Sequence, residues 1–138
     1  MAVRFNYADR KFSGVNKTSL KNMVIRIFKE EELALEHIDY IFCSDEFLLN
    51  INRSALNHDY YTDIITFPLS NKNQPIVAEI YVSVDRIKDN ATQLHQTFSQ
   101  ELSRVIAHGA LHLCGYKDKT KKDIAKIRSK EDYYTTNM

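Results

Sequence analysis

The chain has 138 residues, 43% of them hydrophobic and 27% charged, with a formal net charge of +1. This is an ordinary composition for one globular domain, residues 1–138, long enough to bury a core. It excludes a membrane span, since no apolar run approaches the roughly 20 residues that a bilayer requires. The opening "MAVRFNYADRKFS" lacks the apolar centre of a signal peptide, so a cytoplasmic location and no membrane partner are expected. Near-zero net charge neither demands nor excludes a nucleic-acid partner, because a local patch can bind phosphate while the rest balances it. Cys43 and Cys114 lie far apart and are expected to be reduced thiols.

Residues 2–8 alternate apolar and polar, which predicts a strand. Residues 17–34 carry Leu20, Met23, Val24, Ile27, Phe28 and Leu33 at helical spacing. A second strand is expected at 37–44, and Ser44 can cap a helix that begins with Asp45 and Glu46. That helix presents Phe47, Leu48, Ile51 and Leu56 on one side. "HDYYTDIITFPLS", 58–70, begins as a loop and becomes a β-branched strand, with Pro68 marking its end or an edge. "NKNQP" is a turn, and 76–83 is a strong strand. Ser83 or Asp85 then caps a helix over about 84–94. The longest helical pattern runs from 98 to 115, where Gly115 stops it. Thr120 and Asp123 open a last helix in capping-box fashion. The connections look too irregular for a clean βαβ repeat. The expectation is α+β, a small mixed sheet of about four strands with helices packed on it and a metal site at the end of the long helix.

That site rests on "HGALHLCGYKDK", 108–119. His108 and His112 are one helical turn apart, so both imidazoles can aim at one point. Gly115 can take the left-handed conformation that ends a helix sharply, and the returning chain can bring Asp118 to the same point. Two nitrogens and one carboxylate leave a coordination position open, the pattern of a catalytic rather than a structural site. An HxxxH pair alone is a weak signal; the added glycine and third ligand strengthen it. HExxHxxGxxH metalloproteases share the spacing, but Gly109 stands where their general base would be.

"HGALHLCGYKD" resembles the HGxLHLxGYDH signature of the YbeY family of metal-dependent endoribonucleases, which act in ribosomal RNA maturation. "TDIITFP", 62–68, is similar to that family's TDVLSFP, and "AEIYVS", 78–83, to its GDIxIS. The resemblance implies a single-strand-preferring endoribonuclease with one divalent ion and ribosomal RNA as partner, with a ribosomal subunit or assembly proteins beside it. Asp118 stands where the family has a third His, and Lys117 where it has Asp. A harder third donor shifts preference toward Mn²⁺ or Fe²⁺ relative to three His, while Zn²⁺, the ion expected, accepts the set too. Leu56 stands where many members carry an Arg thought to serve activity, and Arg53 could substitute only from an accessible face.

Other candidates carry bland readings too. Glu79 sits in an apolar strand; it faces solvent, or it faces the site as an outer partner and general base, the role to which the resemblance adds weight. Glu101 and Arg104 share the face of His108 and are expected to pair at i,i+3. His58 in its polar loop is either a plain loop residue or an acid–base or phosphate contact. His37 and His95 read as structural or surface residues, and Cys114 points away from the site into packing. Lys119, Lys121 and Lys122, within a basic run over 117–130, form a solvated face or a contact for RNA phosphates. Tyr60, Tyr61 and Phe67 could stack on unpaired bases, but as strand residues they belong to the core. The rival functions are a metallohydrolase of peptides or small molecules, and a non-catalytic, metal-stabilised ribosome-assembly factor.

Overall fold

The computed structural model describes residues 2–136 and 138. The chain runs β1 (Val3–Tyr7), α1 (Lys17–Glu30), β2 (Leu35–Cys43), α2 (Asp45–Leu56), β3 (Ile64–Pro68), β4 (Ile76–Ser83), α3 (Val84–Gln93), α4 (Phe98–Leu113) and α5 (Lys121–Thr136). The fold is the expected α+β, with one four-stranded sheet in the order β1-β2-β4-β3. β1, β2 and β4 are parallel, and β3 joins antiparallel as an edge strand that ends at Pro68. Proline is tolerated there because an edge strand has one side without ladder bonds. β1-α1-β2 is a regular parallel crossover, since α1 is long enough to return the chain to the same end of the sheet, but the antiparallel β3 breaks any βαβ repeat, as expected.

Local chemistry sets the boundaries. Ser44 accepts the Phe47 amide at 3.1 Å and Ser83 the Arg86 amide at 3.0 Å, so each strand hands over directly to a capped helix. Thr97 and Gln100 form a reciprocal capping box that opens α4. α1 stops at Glu30, short of the expected residue 34, because Glu32 takes a left-handed φ of 60°. In α2 the buried side chains are Leu48, Leu49 and Asn52, whereas Phe47 and Leu56 stay exposed. The helix is therefore turned from the expected stripe, because it covers only the end of the sheet around Cys43 and Ile65.

Strand alternation divides the sheet into two unlike faces. Ile38, Tyr40, Phe42, Ala78, Ile80 and Val82 point into the main core with α1, α3 and α4. Tyr40 is fully buried and satisfies its hydroxyl by donating to the Ile106 carbonyl at 3.0 Å. Asn6, His37, Asp39 and Tyr81 lie on the other face, where Asn6 and His37 both bond Asp39. α4 is buried along most of its length and packs against α1, α3, α5 and β3. At Gly109 it approaches the sheet so closely that a Cβ would lie 2.8 Å from Ile64 Cδ1 and 3.2 Å from Ile80 Cδ1. A side chain at 109 would force the ends of the Ile64 and Ile80 side chains to shift.

Candidate metal centre

The C-terminal turn of α4 builds the centre. Cys114 is the last cap residue, and Gly115 follows at φ 100°. The Tyr116 amide donates to the Leu111 carbonyl at 3.1 Å and the Gly115 amide to the His112 carbonyl at 3.0 Å, the paired bonds of a Schellman turn. This turn folds the chain back over the helix end, so the Tyr116 carbonyl accepts from His112 Nδ1 at 2.9 Å. Two residues later Asp118 arrives over the same face.

His108, His112 and Asp118 come together as the spacing predicts. His108 Nε2 and His112 Nε2 are 2.9 Å apart, and Asp118 Oδ2 lies 3.2 Å from His112 Nε2 and 3.4 Å from His108 Nε2. A tetrahedral ion with bonds of about 2.0–2.1 Å needs donor separations of about 3.3 Å, so the triangle has the right size. The tautomers fit as well. A carbonyl and a carboxylate only accept, so Nδ1 of His112 donates to Tyr116 and Nδ1 of His108 donates to Glu131 Oε2 at 2.5 Å. With each Nδ1 engaged as a donor, the two Nε2 atoms converge on one point beside a carboxylate oxygen, a donor set suited to a divalent cation. The three residues can hold a divalent ion.

A carboxylate that was not foreseen supports this set. Glu131 on α5 is 1% exposed and accepts from both His108 and Arg104. Arg104 meets Glu101, itself fully buried, through Nε at 2.9 Å and Nη2 at 2.6 Å, which is the expected i,i+3 pair. The hydrogen bond to Glu101, which outweighs burial, raises the Arg104 pKa and keeps it charged. The chain Glu101–Arg104–Glu131–His108 thus fixes the ring of a metal-competent donor from below. Its one sequence signal is that Glu131 falls in the buried stripe of α5 with Ile127 and Tyr134.

A cleft of about 310 Å³ opens over the donors, lined also by Asn52, Leu56, His58, Tyr60 and residues 62–66. Asp63 lines it. Burial pushes the Asp63 carboxyl up and outweighs the pull of the Arg104 charge, for a net increase. His58 lines the cleft as well, its Nδ1 3.0 Å from the Tyr60 hydroxyl.

Glu79 corrects an expectation. It alternates with Ala78 and Ile80, which face α4, so its side chain leaves the opposite side of the sheet, where the Tyr81 hydroxyl donates to it at 3.4 Å. It is not among the residues lining the cleft, where the carboxylate besides the donor Asp118 is Asp63. Tyr60 and Tyr61 are loop residues, 56% and 51% exposed, rather than core strand residues, whereas Phe67 does pack in the small cluster under α2. Arg53 pairs with Asp59 at 2.5 Å and is not among the residues lining the cleft. Lys119, Lys121 and Lys122 are exposed beside Asp118, outside the cleft itself. Cys43 and Cys114 are free thiols, both pushed by burial to a pKa of about 12. His37 pairs with Asp39, and His95 sits exposed after α3 at φ 54°. No helix is long and apolar enough to cross a membrane among the described residues.

Comparison with known proteins agrees over almost the whole length. A family profile described as Endoribonuclease YbeY matches residues 5–138. A protein of that name from Cytophaga hutchinsonii is 48% identical over 124 residues, 90% of this chain and 87% of the relative. Another, from Flavobacterium johnsoniae, is 45% identical over 130 residues, 94% of this chain and 92% of the relative. A solution structure from Thermotoga maritima shares the fold with a TM-score of 0.61 at 24% identity, covering 98% of this chain and 90% of the other. Motif order, architecture and full-length similarity coincide, and the chain belongs to the Endoribonuclease YbeY family.

Proposed function

We propose that this protein is a metal-dependent endoribonuclease that cuts single-stranded RNA and acts in ribosomal RNA maturation. The observation that carries the proposal is the triangle of His108, His112 and Asp118, with edges of 2.9–3.4 Å, at the base of an accessible cleft. Relatives named endoribonuclease supply the substrate class. The ion is one divalent cation per chain, zinc in the first place, with Mn²⁺ or Fe²⁺ suited to the same oxygen-containing set. When bound there, such an ion supplies Lewis-acid polarisation of a phosphodiester and activation of water.

The protein's own groups do the rest. Glu131 and the Tyr116 carbonyl hold the two imidazoles in the metal-binding tautomer. Asp63, with its carboxyl pushed up by burial, is better able to take up a proton than an exposed aspartate and is the acid–base residue in place of Glu79. Lys119, Lys121 and Lys122 attract the RNA chain as it leaves the cleft. The setting is the cytoplasm, with ribosomal subunits or assembly proteins as partners. Gly109 counts against the peptidase alternative, because it stands where the general-base glutamate of such enzymes would be.

The test is incubation of metal-loaded protein with single-stranded RNA and with casein, each with and without chelator. RNA cleavage that chelator abolishes and added metal restores is expected, with casein intact. Casein cleavage would favour the peptide hydrolase. RNA binding without cleavage would favour the assembly factor.

A further inference from the structure

We infer that the loop between α2 and β3 is a stacking platform for one unpaired nucleobase of the substrate, beside the candidate metal-binding donors; the inference rests on the RNA-cleaving reading above. The cleft that holds His108, His112 and Asp118 is also lined by Leu56, His58 and Tyr60. The Tyr60 and His58 rings stack at 5.2 Å with planes 21° apart, and the Tyr60 hydroxyl lies 3.0 Å from His58 Nδ1. They form one two-ring block. Yet Tyr60 is 56% exposed and Leu56 is 41% exposed, so apolar surface within the cleft is left to water.

This surface is on a fixed mount. Asn52, 1% exposed, donates its side-chain amide to the Tyr60 carbonyl at 2.9 Å, and its own carbonyl accepts the His58 amide at 3.0 Å. Asn57, left-handed at φ 55°, ends α2 and turns the chain into the loop. An exposed aromatic ring whose backbone is held by a buried side chain, and which is itself stacked on His58, loses little freedom on binding a flat ligand. The neighbouring Tyr61 differs, because the Arg86 guanidinium already stands 5.7 Å over its ring.

Charge makes the same point by default. Among the described residues lining the cleft none is Lys or Arg, and two, Asp63 and Asp118, are acidic. Arg53 is paired with Asp59, and Arg104 is engaged by Glu101 and Glu131. Side-chain cations therefore do not hold the nucleotide in the cleft. At Leu56, His58 and Tyr60 the wall offers aromatic and apolar surface, which binds any base by its face and is insensitive to salt. A paired base has its faces covered by its neighbours in the duplex, so the platform selects unpaired RNA.

The test combines protein variants with substrates that lack one base. Metal-loaded wild type, Tyr60→Ala and Tyr60→Phe are assayed for kcat/KM on a single-stranded RNA and on copies carrying an abasic nucleotide at successive positions near the cut. Tyr60→Ala should lose on the order of tenfold, equally at low and high salt, and Tyr60→Phe should stay near wild type. At one position the abasic nucleotide should cost wild type the same factor and cost Tyr60→Ala nothing more, the non-additivity of two partners that touch. Metal content should be equal in all three proteins. Wild-type behaviour of Tyr60→Ala, an equal loss in Tyr60→Phe, additive losses at every position, or altered metal content would each overturn the platform. Failure of metal-loaded wild type to cut any RNA would instead overturn the RNA-cleaving reading.

Discussion

Removing Glu131 tests how the centre is held. The residue is 1% exposed and receives two donors, His108 Nδ1 at 2.5 Å and Arg104 Nη1 at 3.3 Å. Arg104 keeps Glu101 through two of its nitrogens, so Glu131→Ala should leave the arginine paired and the protein folded. His108 loses the acceptor that fixes its tautomer and orientation. Loss of such an outer partner weakens metal binding by about 10- to 100-fold, or about 1.4–2.8 kcal/mol. Glu131→Gln keeps the shape but offers one acceptor oxygen to two donors, so its loss should sit near the lower end. Without metal, either variant should be less stable by roughly 1.5–3 kcal/mol, the range for a hydrogen bond to a charged group. Competition with a chromophoric chelator gives the affinity, and thermal melting with and without metal gives the stability. A folded Glu131→Ala that binds metal as tightly as wild type would refute the claim that this carboxylate orients His108.

Asp118→His should retain metal and shift its preference toward zinc, since imidazole is the softer donor; an unchanged rank order of affinities across Zn²⁺, Mn²⁺ and Fe²⁺ would remove the hardness argument. Neutralising Lys119, Lys121 and Lys122 together should weaken RNA binding and flatten the log–log salt slope by about 0.7 for each phosphate no longer neutralised, with metal content unchanged, as titrations at several salt concentrations would show. Glu31 makes a pH prediction. Burial pushes its carboxyl up, but hydrogen bonds from Tyr134 and Tyr116 and the Lys130 charge outweigh that, so it lies below the usual glutamate value. Its contribution is present above the unfolded glutamate value and fades as pH falls through the lower folded one. Glu31→Gln should therefore melt earlier at neutral pH, by roughly 1.5–3 kcal/mol of stability, with the gap closing in acid; a gap that persists unchanged at low pH would contradict it.

What was legible in the sequence was what is local. His108, His112, Gly115 and Asp118 lie within eleven consecutive residues, and helix geometry plus one left-handed turn fixes their relation. Ser44 and Ser83 announce helix starts because a cap is also a local bond. Glu131 was not legible, because its meeting with His108 depends on how α5 packs across α4, twenty-three residues away. Glu79 shows a different limit. Period-two alternation separates it from Ala78 and Ile80, but only the packed structure says which side of the strand α4 covers. The expected stripe of α2 holds at Leu48 and Ile51 but not at Phe47 and Leu56, since helical spacing names faces without saying which one a short sheet end will cover. The aromatic run at Tyr60 reads as strand, but β3 begins only at Ile64, which leaves the Tyr60 ring exposed in the loop before it.

Ion binding and RNA cleavage can be read on one preparation. Metal content and cleavage of single-stranded RNA should be measured side by side for wild type and His112→Ala. Wild type should carry one divalent ion per chain and cut the RNA, and His112→Ala should lose ion and cleavage together while staying folded. Undiminished cleavage by a His112→Ala protein free of metal would show that RNA cleavage does not depend on the ion at this site.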